Sequence, residues 1–294
     1  MDNVIFETLR DLGMTSMSTR KMFSHGTRDN PGVNVWRDSV TGVIYISDFY
    51  TGDEAYASGK YRQEKVDKLS TGKPDLERSR DLERRVNTYS HLCVGKNIAE
   101  FGCGSGDFLN KMKMLCENVV GIELQTDYIS KIRNDGISCV SNIDSLPPKS
   151  LDVLLAFHVY EHLPNPIDTL MGWVKKVKLG GKIVIEVPHA NDLLLQPGVC
   201  DSFKKFTLWS QHLILHRRQS LFRMMNHVGC NNIQIEGVQR YPVSNHLHWL
   251  SAGTPGGHKA SMSIIDSREL NAAYAASLGR IDATDTLVAI ADVS

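Results

Sequence analysis

Between residues 97 and 187, short apolar runs of strand character alternate with stretches of helical period, and this alternation restricts the fold more than any other feature. The runs are Asn97 to Phe101, Val119 to Glu123, Ser138 to Val140, Leu151 to Phe157 and Lys182 to Val187. Helices are expected between them at about Asp107 to Leu115, Thr126 to Asn134 and Pro166 to Lys178, the last stopped by Gly180-Gly181. Such alternation specifies a parallel sheet covered by helices on both faces. In the third helix, Leu170, Met171, Trp173, Val174 and Val177 form the expected apolar face.

The flanking segments read less regularly. Upstream, Pro74 to about Leu92 becomes helical with Leu82, Val86 and Tyr89 on one side, and the runs Val33 to Arg37 and Val43 to Ile46 flank Asp38 to Gly42 as a small hairpin. Downstream, a helix near Gln219 to Val228 closed by Gly229, a strand at Asn232 to Val238 and a last apolar run, Thr286 to Ala291, can complete the sheet. The stretch from Gln239 to Ile281, with Gly253, Pro255, Gly256 and Gly257, reads as an inserted loop-rich cap.

Composition narrows the partners. Lys and Arg (33) balance Asp and Glu (33), so no global field favours nucleic acid, and Lys204-Lys205 and Arg217-Arg218 are too short to form a basic patch. No apolar run reaches the about 18 residues needed to span a bilayer, and Met1-Asp2-Asn3-Val4 lacks the layout of a signal peptide. The expectation is a cytoplasmic chain with no membrane or nucleic-acid partner. The six cysteines are scattered without a Cys-x-x-Cys pair, which argues against a zinc ribbon or a disulfide framework and for reduced thiols. Homo-oligomerisation is left open.

Gly102, Gly104 and Gly106 lie between an expected strand and an expected helix, where a sharp turn brings bare backbone against a ligand. The spacing is Gly-x-Gly-x-Gly; Asp107 stands where a dinucleotide fingerprint needs its third glycine, which disfavours a pyrophosphate cradle. Glu123 ends the next strand about 20 residues on, where a carboxylate can accept hydrogen bonds from both hydroxyls of a ribose.

Glu100-Phe101-Gly102-Cys103-Gly104-Ser105-Gly106 resembles motif I of class I S-adenosylmethionine (SAM)-dependent methyltransferases, and Glu123 resembles their ribose-binding acid. Asn142-Ile143-Asp144 resembles the segment that frames the adenine, Leu151 to Phe157 the fourth strand beneath the methyl donor, and Leu179-Gly180-Gly181-Lys182 the turn before the fifth strand, with Leu in place of the usual Pro. The resemblance covers about residues 80 to 238 and the final strand. It implies an α/β fold, a Rossmann-like doubly wound, mostly parallel seven-stranded sheet. An N-terminal substrate or cap region (1–74), a SAM-binding core (75–238), an inserted cap (239–282) and a last core strand (283–294) are the expected divisions. It also implies SAM as cofactor, held by Glu100, Gly102, Cys103, Gly104, Gly106, Asp107, Phe108, Glu123, Leu124, Asn142, Ile143, Asp144 and Phe157.

The run Tyr160-Glu161-His162-Leu163-Pro164-Asn165-Pro166 is similar to the branch that modifies small molecules, and a weaker likeness points to polysaccharide or nucleotide-sugar pathways. The implied acceptor is a small polar molecule, a sugar or nucleotide-sugar hydroxyl. Methyl transfer from a sulfonium is an in-line displacement that asks for a positioned base. His158, Glu161 and His162 follow the fourth strand and share one face if that segment turns helically, and His212 matches a histidine that many relatives carry before a Ser-Leu helix start, here Ser220-Leu221. These four are the candidate catalytic residues; structural capping of a turn is the competing role. Some relatives bind a divalent metal with Glu-x-x-Glu-His and a distant His. His158 stands at the first Glu position, and no residue is assigned to a metal from sequence. Tyr50, Tyr56 and Tyr61 could stack on a sugar ring or pack an ordinary cap, and Arg80, Arg84 and Arg85 bind a substrate phosphate or form a solvated helix face.

Overall fold

A computed structural model describes residues 3–59 and 76–294. Its elements in chain order are helix α1 (Ile5–Asp11), strands β1 (Arg20–His25), β2 (Asn34–Asp38) and β3 (Ile44–Tyr45), and helices α2 (Asp53–Ala57) and α3 (Leu76–Cys93). The main alternation follows as β4 (Asn97–Phe101), α4 (Asp107–Met112), β5 (Asn118–Ile122), α5 (Thr126–Asn134), β6 (Ser138–Val140), β7 (Leu151–Phe157), α6 (Pro166–Lys176) and β8 (Val177–Pro188). The chain ends with α7 (Asp201–Thr207), β9 (Ile214–Leu215), α8 (Arg218–His227), β10 (Cys230–Val238), α9 (Val243–Ala252), α10 (Arg268–Arg280) and β11 (Thr286–Val293).

Seven strands form the expected mostly parallel sheet in the order β10-β11-β8-β7-β4-β5-β6. β4 pairs in parallel with both β5 and β7, whereas β11 lies antiparallel between β8 and β10. The chain moves outward from β4 through β5 to β6, then returns to place β7 on the other side of β4. That reversal opens a crevice beyond the carboxyl ends of β4 and β7, where ligands of open α/β sheets bind. The register carries both strands to the same level, Phe101 opposite Ala156, so the segments that follow them emerge side by side.

Side chains of β7 alternate between two cores. Leu154 and Ala156 join Trp173, Leu221 and Met224 on one face; Val153, Leu155 and Phe157 join Tyr89, Leu109 and Ile132 on the other. Burial on both faces accounts for the unbroken apolar run that marks this strand in the sequence. The hairpin of β2 and β3 extends into a four-stranded antiparallel sheet, β1-β2-β3-β9, and Val35, Ile44, Tyr45 and Ile214 pack into the same core as Trp173. Residues 239–281, expected to be loop-rich, carry the helices α9 and α10. Pro255 and the glycines read from sequence occupy only the link between them.

Two local readings differ. α6 ends at Lys176 because Val177 is already extended, so Gly180-Gly181 does not stop it. Instead these glycines lie within β8, where the register with β7 jumps from Leu151 opposite Val177 to Val153 opposite Lys182. Met171, placed on the apolar face of α6, is 39% exposed; Leu170 and Trp173 carry that face.

Candidate functional site

The glycine turn leaves β4 through Gly102 and Gly104, both at positive φ (69° and 55°), and Gly106 at 75°. At Gly102 a Cβ would also stand 2.5 Å from Val159 Cγ2, so the chain after β7 presses on the turn too closely for any side chain. Glu123, just past β5, supports the turn from beneath: Oε2 accepts from the Gly104 amide at 2.8 Å, and Oε1 from the amides of Leu124 (2.8 Å) and Gln125 (3.0 Å). Asn142, Ile143 and Asp144 follow β6 beside it, with Asn142 Oδ1 accepting from the Asp144 amide at 2.9 Å and the Glu123 amide bonded to Val140 O at 3.0 Å.

The turn borders a cleft of about 160 Å3 whose walls include Glu100, Gly104, Asp107, Phe108 and Phe157. Phe157 meets Phe108 edge to face at 5.2 Å, stacks on Tyr89 at 5.5 Å and lies 4.5 Å from the Arg85 guanidinium. Arg78 reaches across from α3 to pair with Asp107 (2.6 Å) and bond Ser105 Oγ. Glu100 is buried, and its Oε2 has no hydrogen-bond partner among the described residues. Burial pushes this carboxyl up to about 8; Arg85 opposes the rise, and Asp107 and Glu123 add to it. Such a group lacks a cation. A buried carboxyl, a turn bare of side chains at its glycines and a second carboxylate just past the next strand are groups that an aminoacyl nucleoside with an ammonium and a sulfonium would need.

The four candidate catalytic residues cluster beyond β7. His158 has left the strand at φ 53°, and a single 3-10 turn, Tyr160–His162, carries the next two. The connection after β8 is tied down by Leu213 N to Glu161 O (2.8 Å) and by His162 Nδ1 to Gln211 O (2.8 Å), and it delivers His212 to the same place. Ligand atoms of Glu161, His162 and His212 all lie within 4.8 Å of one another. Glu161 is 1% exposed and neither carboxylate oxygen makes a hydrogen bond among the described residues. Burial raises its pKa, but the neighbouring imidazoles, His158 first with Nδ1 3.5 Å from Oε1 and then His162, outweigh that and hold the carboxyl at about 2. Burial, reinforced by His162, lowers His212 to about 3, and its Nδ1 is buried without a hydrogen-bond partner.

An ionised carboxylate with no donor and a neutral imidazole nitrogen with no donor or acceptor are costly in isolation. Together with His162 they form a one-carboxylate, two-imidazole set suited to a divalent transition-metal ion. The set spans from Glu161 to His212, and its third member is His162; His158 stands outside it. His158 Nδ1 is 3.5 Å from Glu161 Oε1, while Nε2 accepts from Arg240 Nη1 at 2.9 Å. Around the cluster, Trp209 meets His162 and His212 at 5.8 and 5.3 Å, and Tyr56 meets His162 at 6.0 Å and stacks on Tyr50 at 6.2 Å. Tyr61 lies outside the described residues.

Sequence reasoning passed over the ion network behind His158. Glu186 in β8 is fully buried and takes Arg84 Nη2 (2.8 Å), Arg85 Nη2 (2.7 Å) and Tyr89 OH (3.3 Å), while Asp81 takes Arg84 (2.7 Å) and Arg240 Nη2 (2.5 Å). Its signal was a lone acid inside Ile183-Val184-Ile185-Glu186-Val187, an apolar run that tolerates a charge only when paired.

A family model described as a methyltransferase domain matches residues 75–235. The chain is 23% identical over 178 residues to the ubiquinone biosynthesis O-methyltransferase of Burkholderia pseudomallei (strain 1710b), covering 55% of this chain and 75% of that protein. A SAM-dependent methyltransferase from Archaeoglobus fulgidus superposes with a TM-score of 0.52 at 21% identity, over 72% of this chain and 94% of that one. Another, from Thermotoga maritima, gives 0.50 at 14% identity, over 74% and 92%. With the crevice at the β4/β7 reversal, the bare glycine turn and the unpaired Glu100, the matches make this chain a member of the methyltransferase-domain family, a class I SAM-dependent methyltransferase.

Proposed function

We propose that the chain moves the methyl group of SAM to a hydroxyl oxygen of a small ring-bearing acceptor, with Glu161, His162 and His212 gathering that hydroxyl at the crevice. The observation that carries this reading is the buried Glu161, whose oxygens make no hydrogen bond among the described residues and lie beside the imidazoles of His158, His162 and His212, directly beyond the strand that flanks the glycine turn. The Burkholderia pseudomallei protein carries "O-methyltransferase" in its name, which supports an oxygen acceptor.

Glu123 and the turn from Gly102 to Gly106 would hold the ribose, Glu100 the ammonium, and Phe108 and Phe157 the apolar wall of the donor. A divalent ion at Glu161, His162 and His212 would supply Lewis acidity, lowering the pKa of a bound hydroxyl. Tyr56 and Trp209 offer aromatic faces beside it, on which the ring of a sugar or phenol stacks. SAM, when bound, would supply an electrophilic methyl on a sulfonium, so that the acceptor oxygen would take the methyl carbon as the carbon–sulfur bond broke to leave a neutral thioether, and these residues would orient the hydroxyl while its proton left to solvent. His212, held at about 3, is a poor proton acceptor at neutral pH but a ready ligand, so this reading gives it a ligand's role in place of a base's.

Methyl-labelled SAM incubated with the protein and a metabolite extract is expected to label a small product, in a reaction that EDTA stops and Zn2+ or Mn2+ restores. Calorimetry should show divalent binding that is lost in Glu161→Gln and His212→Ala, with S-adenosylhomocysteine affinity kept in both. A chain that labels its product undisturbed by chelation, and binds no divalent ion, overturns the ligand role.

A further inference from the structure

Helix α3 divides two cavities. Leu82 and Arg85 face the donor cleft, whereas Arg80, Asp81 and Arg84 line a second cavity of about 190 Å3, closed on its far side by Arg240, Tyr241 and Pro242. The helical period produces this split, since positions 82 and 85 share one stripe while 80, 81 and 84 fall on the neighbouring face.

The second cavity is cationic. Its lining carries the guanidiniums of Arg80, Arg84 and Arg240 against the single carboxylate of Asp81, while Glu186 bonds Arg84 and Asp285 bonds the backbone of Arg240. Asp285 spends its oxygens on the backbone amides of Arg240 (2.9 Å) and Tyr241 (3.1 Å). Arg84 bonds through Nε and Nη2 only, so Nη1 is uncommitted among the described residues. Arg80 lines the cavity and has no ion-pair or hydrogen-bond partner among them. Arg240 joins this wall to the reaction centre by its 2.9 Å bond to His158, whose other ring nitrogen faces Glu161.

We propose that this second cavity binds an anionic group of the methyl acceptor, a carboxylate or a phosphate, through Arg80, Arg84 and Arg240. The site thereby selects acceptors that carry a hydroxyl and an anion on one small scaffold. Planar guanidiniums recognise both oxyanions by paired N–H donors; Arg84 and Arg240 are partly buried, which makes their contact stronger than a surface pair, and Arg80 reaches in from the exposed side. The proposal rests on the reading of the chain as a hydroxyl methyltransferase.

The test uses the intact chain saturated with S-adenosylhomocysteine and titrated by calorimetry with inorganic phosphate or, separately, with benzoate, at an ionic strength fixed by chloride. At least one of the two is expected to bind, and the one that binds identifies the group. Arg80→Gln, which removes a side chain without folding partners, should weaken that binding about tenfold, while Arg80→Lys retains part of it. Absence of binding by both anions, or equal affinity in Arg80→Gln, overturns the proposal and leaves the donor site intact. Failure to bind S-adenosylhomocysteine in the first place overturns the reading beneath it.

Discussion

At the residue scale, Glu100 connects burial to cofactor affinity. Its carboxyl is raised to about 8, chiefly by burial, so below that pH it is mostly protonated and offers no charge to an ammonium. In the proposed donor site the ammonium would pair only with the ionised form. S-Adenosylhomocysteine affinity is therefore expected to rise between pH 6 and 8, with proton release on binding, and Glu100→Gln should bind weakly with that rise removed; calorimetry in two buffers of different ionisation enthalpy reads both. For folding alone the sign is opposite. The native state keeps a proton that the unfolded chain loses above its ordinary carboxylate range, so this residue's contribution to stability declines as pH climbs from about 4.5 to 8. Glu123 behaves differently, because its oxygens already hold three amides of the turn and its neighbours. Glu123→Ala should weaken donor binding at least tenfold, about 1.4 kcal/mol or more, whereas His158→Ala should lower turnover with donor affinity kept.

At the element scale, the strands were legible because a parallel sheet buried on both faces writes itself as uninterrupted apolar runs, and β7 is the clearest case. Punctuation was less legible: Gly180-Gly181 reads as a helix stop, yet the helix ends earlier and the pair serves a register shift in β8. The glycine turn, Glu123 and Asn142 to Asp144 come together because they follow consecutive strands, β4, β5 and β6. Two contacts of the histidine cluster were not legible in this way. His162 meets Gln211 across 49 positions and His158 meets Arg240 across 82, and no local period records how long connections fold back over a sheet. The turn itself gives a sharp test of how elements fit. Gly102→Ala places its Cβ against Val159 and adds the cost of a positive φ, so cofactor affinity and thermal stability should both fall; Val159→Ala in the same chain should restore only the part due to the clash. Equal recovery in φ-tolerant Gly102→Asn would show that sterics alone matter.

At the scale of the whole molecule, charge fastens the segment after β10 to α3 through Arg240 and Asp81, and α3 to β8 through Arg84, Arg85 and Glu186. Asp81 is held at about 2 against the pull of burial by Arg240, Arg85 and Arg84, and Glu186 is held well below the ordinary carboxylate range, His158 and Arg85 leading against the same penalty. Both carboxyls are depressed in the fold, so their contribution is complete above the unfolded carboxylate range and is lost as pH falls toward 2. For Asp81 the shift from 3.8 corresponds to about 2 kcal/mol at neutral pH. Urea unfolding at a series of pH values should show stability falling steeply between pH 4 and 2. Asp81→Asn should be less stable at pH 7 by a similar amount and show a shallower fall, because the group that titrates is gone while three arginines remain. That variant also tests whether the network orders the second cavity: freeing Arg240 from Asp81 should weaken anion binding there as well as stability, whereas a clamp that only holds the fold would leave anion binding unmoved.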